Sequence, residues 1–319
     1  MIRVAGCMLL ILSACQSKKE MTIVFGGDVM LDRGIRAQIA VKGVDYFTND
    51  IKPEFQSADY AVVNLECPTT AIKAPLTKKF IFRADPEWLP DLYQSGITHC
   101  ILANNHSYDQ GRAGLISTDE NLTKAHLKSI GYGVTQQGAC EPVLLQKNGI
   151  DVAIFSSVTL GLESWMYLEN EPGMCQATIQ DLKEAISTYQ HQHPETFIVV
   201  TLHWGVEYQR MPTPMQRNQA KELIAAGADA IIGHHPHVVQ RFELIEGKPV
   251  FYSIGNLIFD NANPLAAEGV LVRLSFWEDG SDVKIVPYRI VGGKPVLMEG
   301  KEKREFLGRL QGISDELPR

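Results

Sequence analysis

The chain lacks any excess of positive charge: 30 Lys and Arg stand against 37 Asp and Glu, a formal net charge of −7. Phosphate-binding surfaces show as clustered Lys and Arg, so no nucleic-acid partner is expected. Internal repeats and low-complexity stretches are missing too, which argues against solenoid, fibrous and disordered classes. No two of the six cysteines stand at the close spacing that a zinc ribbon requires. Cys67, Cys100, Cys140 and Cys175 are widely scattered, with Cys100 in an apolar run, so the expectation is buried thiols and no disulfide needed for stability. What remains is an ordinary globular composition, 45% hydrophobic and 21% charged over 319 residues, long enough for one large domain.

No apolar run reaches the ~20 residues that cross a bilayer. The N-terminal run, Val4 to Leu12, follows Arg3 and ends in Leu12-Ser13-Ala14-Cys15 ahead of the polar stretch Gln16 to Glu20. A charged start, a short apolar stretch and small residues before a cut site describe a secretory signal. Leu-Ser-Ala-Cys further resembles the lipobox of bacterial lipoproteins, in which the cysteine is lipidated and becomes the first mature residue. The expected organisation is therefore a signal and tether over 1–20, one domain over 21–300 and a charged tail or helix over 301–319. The expected location is the cell envelope, with the exported chain held to a membrane through Cys15.

Short apolar runs bounded by turn residues read as buried strands. They are Thr22 to Phe25, Tyr60 to Val63, Thr98 to Leu102, Val152 to Phe155, Phe197 to Leu202, Ala230 to Ile232, Val250 to Ser253, Val270 to Phe276 and Val283 to Tyr288. Helical patterns alternate with them over Arg112 to Ile130, Ile179 to Gln190 and Pro214 to Ala226, the last stopped by Gly227. Alternation argues an α/β layered fold. Toward the C-terminus the runs become hairpins, with Glu246-Gly247-Lys248 as a turn, so the sheets are expected to be mixed.

Five of these strands end in polar groups. Gly26-Gly27-Asp28 follows the first, Asn64-Leu65-Glu66 the second, and Ala103-Asn104-Asn105-His106 the third. His203-Trp204-Gly205 and Gly233-His234-His235-Pro236-His237 follow two later ones. Ligands of open α/β sheets gather beyond the carboxyl ends of the strands, so these residues are expected to converge. Asp28, Glu66, Asn105, His203, His235 and His237 then form an oxygen and nitrogen donor set without thiolates, suited to one or two ions of Mn, Fe or Zn. Pro236 disfavours helix at His235, and in extended chain residues two apart point the same way, which pairs His235 with His237 and leaves His234 in a supporting role. Paired ions would activate water for hydrolysis. His106 is placed to act on a leaving group, with Asp109 orienting it. Glu207 and Tyr208 are candidates for touching substrate or walling the cleft, Asn256 for supporting a ligand from outside, and Arg83 for a bidentate anion contact or a surface salt bridge.

The ordered stretches Gly26 to Met30, Asn64 to Glu66, Ala103 to Asp109, His203 to Tyr208, Gly233 to His237 and Tyr252 to Asn256 resemble the motifs of the CapA family, over roughly residues 21 to 290. That family is associated with poly-γ-glutamate capsule biosynthesis and is similar to calcineurin-like metallophosphoesterases. The resemblance implies a four-layer αββα sandwich with mixed sheets and a two-metal site. It matches Asp28 to the first metal aspartate, Glu66 to the bridging acid, Asn105-His106 to the Asn-His motif, His203 to the lone histidine, and His235 and His237 to the final pair. One departure stands out: where the phosphoesterases carry Asp-x-His, this chain reads Asp28-Val29-Met30. A thioether is a poor ligand for hard divalent ions, so one metal is expected to lose a nitrogen donor.

The resulting expectation is a metal-dependent hydrolase of the phosphoesterase type acting on an anionic polymer or phosphoester, with a capsule synthase complex as a possible partner. The alternative is a non-catalytic accessory subunit that binds or exports the polymer. The tether has its own test: the mass of the N-terminal peptide from the native host should be that of a chain starting at a diacylglyceryl-modified Cys15. An unmodified Met1 refutes lipidation.

Overall fold

The computed structural model describes residues 19–312. The expected signal and Cys15 lie outside them, as does the end of the charged tail. The chain first lays down β1 (Met21–Val29), β2 (Tyr60–Leu65), β3 (His99–Ile101) and β4 (Lys128–Ile130) as four parallel neighbours. It crosses through a small ribbon of β5 (Tyr132–Gly133) and β8 (Gly173–Met174). A second sheet forms from β6 (Val143–Lys147), β7 (Ile150–Val158), β9 (Phe197–His203), β10 (Ala230–His234), β11 (Phe242–Ile245) and β12 (Lys248–Phe251), in the order β11-β12-β10-β9-β7-β6. The chain then returns to the first sheet with β13 (Asn256–Ile258), β14 (Glu268–Trp277), β15 (Gly280–Val291) and β16 (Lys294–Leu297). β13 and β14 both pair with β1, the former parallel and the latter antiparallel.

Three apolar layers follow from this path. Ile23, Phe25, Val62 and Val272 of the first sheet face Val152, Ile154, Val199 and Ile232 of the second in the inter-sheet core. Outside the first sheet, Val63 and Leu65 pack with Ile35, Phe47, Leu92 and Leu115 from its covering helices. Outside the second, Phe155, Val200 and Ile231 pack with Leu182, Ile186 and Leu223. The architecture is the expected four-layer αββα sandwich of mixed sheets. Strands with both faces covered read as continuous apolar runs, and β1, buried at all but one of its positions, is the clearest case.

The helices over the second sheet begin where the sequence signals them. Thr178 with Asp181, and Thr213 with Gln216, each close a capping box, and Gly227 ends the second helix at a φ of 119°. The expected helix from Arg112 to Ile130 is shorter. It runs over Gly111–Lys124, the chain turns at His126 with a φ of 62°, and Lys128–Ile130 becomes β4. A three-residue strand is too short to register as a period. The charged run 301–305 belongs to a helix, Gly300–Gly312, docked through Phe306 and Leu310 into the inter-sheet core.

One disulfide is nevertheless present, and it puts the expectation that none is required to a test. Cys140, ending the helix Gln136–Cys140, is bonded to Cys175 beside β8, while Cys67 and Cys100 are buried free thiols. Spacing cannot disclose connectivity, and a bond closing 35 residues stabilises by about 3–4 kcal/mol in the chain-entropy account. Reduction, or Cys140→Ser, should lower the melting temperature by roughly 5–10 °C. Cys100→Ala should respond to reductant like the wild type, and an unchanged melting curve after verified reduction refutes the assignment.

Candidate metal centre

The carboxyl ends of β1, β2 and β3 meet those of β9 and β10 at one edge of the inter-sheet core. Two close approaches make this possible. A Cβ on Gly27 would lie 2.0 Å from the Gly255 carbonyl oxygen, and one on Gly233 would lie 2.0 Å from that of Tyr252, so neither position admits a larger residue. A register shift in β1 between Gly26 and Asp28 then swings the Asp28 carboxylate into the seam.

Asp28 is wholly buried. Its Oδ1 accepts from Asn64 Nδ2 at 2.8 Å and lies 3.1 Å from His234 Nδ1, while Oδ2 lies 3.4 Å from His237 Nδ1. Glu66, also wholly buried, places Oε1 3.7 Å from His203 Nε2 and 3.8 Å from His237 Nε2. Asn105 Oδ1 is 2.9 Å from His203 Nε2, and the His235 ring sits 4.9 Å from that of His203. Two donor triads result, Asp28-Glu66-His237 and Glu66-His203-His235, with Glu66 common to both. The structure thus brings all six expected ligands together.

The route to the His235 and His237 pair differs from the expected extended geometry. Both residues have left-handed backbone, at φ of 97° and 58°, a strained conformation of the kind that clusters at functional sites. Their rings still converge, 6.1 Å apart. His237 is fixed by Asn256, whose Oδ1 lies 2.8 Å from its Nδ1, and by Phe259, whose ring is 4.8 Å away.

Burial by itself would raise the Asp28 carboxyl, but the imidazoles of His234 and His237 beside it override this and hold the group well below the usual carboxylate range. Glu66 goes the opposite way, pushed well up by burial and then by the charge of Asp28. Burial keeps His203 well below the ordinary imidazole value and, with His237 nearby, drives His235 down to about 3. Neutral imidazoles are the form that binds metals. Both Glu66 oxygens and Asp28 Oδ2 are buried without a hydrogen-bond partner. Unpaired buried carboxylates are strongly unfavourable unless they are neutralised or bind a cation, so the donors fit a divalent-metal site.

Beside the triads, His106 Nδ1 is 2.8 Å from Asp109 Oδ2, and the Phe82 backbone N–H donates to the same oxygen at 2.8 Å. Asp109 Oδ1 accepts from Lys78, whose ammonium also reaches the Asn105 carbonyl.

These strand ends are also those of a known family. The family model described as "Bacterial capsule synthesis protein PGA_cap" matches residues 22–261. The chain belongs to this family. Within PGA_cap relatives, the capsule biosynthesis protein CapA of Bacillus anthracis is 29% identical, covering 88% of this chain and 70% of that protein. The PGA biosynthesis protein CapA of Bacillus subtilis is 31% identical, covering 81% and 68%. Among solved structures, the NAD nucleotidase of Haemophilus influenzae superposes with a TM-score of 0.54 at 12% identity, over 93% of this chain and 63% of that one. A hypothetical protein from Thermus thermophilus gives 0.51 at 15% identity, over 84% and 99%. Both likenesses concern the fold alone.

Several candidates of this PGA_cap chain sit differently from their expected roles. Arg83 makes a salt bridge, one of its two expected roles: its Nη1 donates to the Thr70 carbonyl at 2.7 Å and to Asp85 at 2.8 Å. Met30 is wholly buried among Leu31 and Ile35 in the outer core, and its sulfur accepts from the Asp32 N–H. His234 contributes to neither triad and instead braces Asp28. Glu207 is exposed beside the site, and the Tyr208 ring is 6.1 Å from that of His237. Sequence reasoning missed Lys78, from an irregular segment with no periodic signal, and the amide chain in which Asn104 holds Asn64 at 3.0 Å and Asn64 holds Asp28.

Glu66→Gln tests whether the site is tuned for a cation at the expense of the fold. Removing the buried, unpartnered carboxyl should stabilise the metal-free protein by about 1–2 kcal/mol, while abolishing the rise in melting temperature expected of the wild type on adding Mn or Zn. A destabilised variant with the metal-induced rise intact refutes this assignment of Glu66.

Proposed function

We propose that the chain is a metal-dependent hydrolase of the CapA type, exported and tethered through Cys15, that works in making or handling a poly-γ-glutamate capsule. The observation that carries this reading is the sharing of Glu66, with both oxygens unpartnered, by two donor triads. The capsule role is supported by the names of the Bacillus relatives and by the family match.

Asp28, Glu66 and His237 would hold one ion, and Glu66, His203 and His235, with Asn105 beside them, a second. Mn, Fe or Zn suits these donors, and such ions, when bound, lower the pKa of water and polarise the bond to be cut. The remaining chemistry belongs to side chains. Asp109 accepts from His106 Nδ1, which leaves Nε2 as the nitrogen that would take up a proton from water and, from the imidazolium so formed, pass it to the departing oxygen. Lys78 holds Asp109 and the Asn105 carbonyl together, keeping the proton carrier and the neighbouring metal donor in one frame. Phe82 and Phe259 cover His106 and His237 at 4.4 and 4.8 Å and exclude water from their outer faces.

Met30 favours a second reading. With the first-motif histidine replaced by a core methionine, the Asp28 triad has a single imidazole, His237, as expected of a subunit that binds polymer for a synthase without cutting it. One experiment separates the two. Purified protein reconstituted with Mn or Zn is assayed for bound metal and for hydrolysis of phosphomonoesters and phosphodiesters. The hydrolase reading expects stoichiometric metal and turnover that falls at least ~100-fold in His237→Ala and Asp28→Asn. No metal after reconstitution sinks it, and metal without turnover on any anionic substrate leaves the accessory reading.

A further inference from the structure

We infer that Arg33 forms an anion subsite at the mouth of the metal centre, taking a carboxylate or phosphate oxygen on the part of the substrate that flanks the reacting bond. This rests on the functional reading above and adds to it the residue that would recognise the anionic groups flanking the reacting bond. Asp28 and Glu66 are given over to the metals and Asp109 to His106 and Lys78, so an anionic chain running past the centre meets the carboxylate of Glu207 and needs a cation of the protein to offset it. Lys78 is not available for that task. Its side chain is only 5% exposed and is tied to Asp109 and the Asn105 carbonyl.

Arg33 is differently placed. Its side chain is 40% exposed, against 22% for its partner Asp260. Its guanidinium carbon lies 5.1 Å from the centre of the Phe82 ring and 5.7 Å from that of Phe259. Those two rings are the ones that rest on His106 and His237, so a single aromatic layer separates the guanidinium from both sides of the centre. Nε and Nη2 both donate to Asp260 Oδ1, which leaves Nη1 with no hydrogen-bond partner among the described residues. Oδ2 of the same carboxylate accepts from the Gly34 N–H at 2.8 Å. The fork is therefore oriented before any ligand arrives, and such preorganisation lowers the entropy lost on binding.

The backbone supplies an independent sign. Arg33 has a φ of 52°, a left-handed conformation that costs a non-glycine residue roughly 1–2 kcal/mol. A surface arginine serving only as a helix residue has no need of it. Here it sets the side chain between the two rings.

The test is calorimetric titration of the purified protein with a γ-linked glutamate hexamer and, separately, with tripolyphosphate. Arg33→Met should weaken binding at least 10-fold, and Arg33→Lys, which keeps the charge but loses the planar fork, should fall between the two. Asp260→Asn should bind within about threefold of wild type, because a ligand replaces the lost carboxylate. Metal content should be unchanged throughout. Loss confined to the hexamer identifies carboxylate as the recognised group, and loss confined to tripolyphosphate identifies phosphate. Equal weakening by Arg33→Met and Asp260→Asn, or no weakening by Arg33→Met, overturns the proposal, since the ion pair would then only secure the loop. Arg33-dependent binding without hydrolysis would fail the hydrolase reading and leave this one standing.

Discussion

Two carboxylates buried within one seam, Asp28 and Glu66, are the constraint on which the structure turns. Each is wholly enclosed, and together they would repel in a medium that screens charge weakly. The fold answers asymmetrically. Asp28 is held ionised by Asn64, His234 and His237, whereas among the described residues no group hydrogen-bonds to Glu66. A fold that surrounds one acid with donors and leaves its neighbour unpartnered is arranged for a charge that comes from outside the chain.

The strain in the site follows from bringing the two sheets together there. His203 and His234 are register partners at the ends of β9 and β10, so the strand itself delivers His234 toward Asp28. Two more imidazoles have to enter from the same chain end. The left-handed turn through His235 and His237 achieves this, and Gly233 permits it by lying against the Tyr252 carbonyl. Asn256 belongs to β13, which pairs with β1 through Asp28. The side chain that fixes His237 is thereby registered to the carboxylate it serves. Misplacing any of these elements would move several donors at once.

What the sequence discloses about this site is what strand ends disclose. Asp28, Glu66, Asn105, His203, His235 and His237 each follow an apolar run whose period and length mark a buried strand, and the rule that such ends converge is general to open sheets. Lys78, Phe82, Phe259 and Asp260 lie in irregular segments, where no period indicates which way a side chain points. Arg83 is open between two roles for the same reason, and its salt bridge to Asp85 and bond to Thr70 are visible only in the fold. β4 and β13 are three residues each, below the length at which alternation is visible. The Cys140 to Cys175 bond depends on a chain path that spacing does not encode.

Met30 shows how a motif can mislead when read in one dimension. As a missing ligand, it suggests a site weakened at its first position. In the fold it is a core residue beside Leu31 and Ile35, and the neighbouring donors are in place around it: His234 braces Asp28 and His237 closes the first triad. The consequence is a difference between the two positions. The triad of His203 and His235 has two imidazoles and the amide oxygen of Asn105 close by, while the Asp28 triad is richer in carboxylate. Imidazole-rich sites suit Zn or Fe and carboxylate-rich ones Mn or Mg, so an ion should be held more tightly and selectively at His203 and His235 than at Asp28, with Glu66 coupling the occupancy of one to the other.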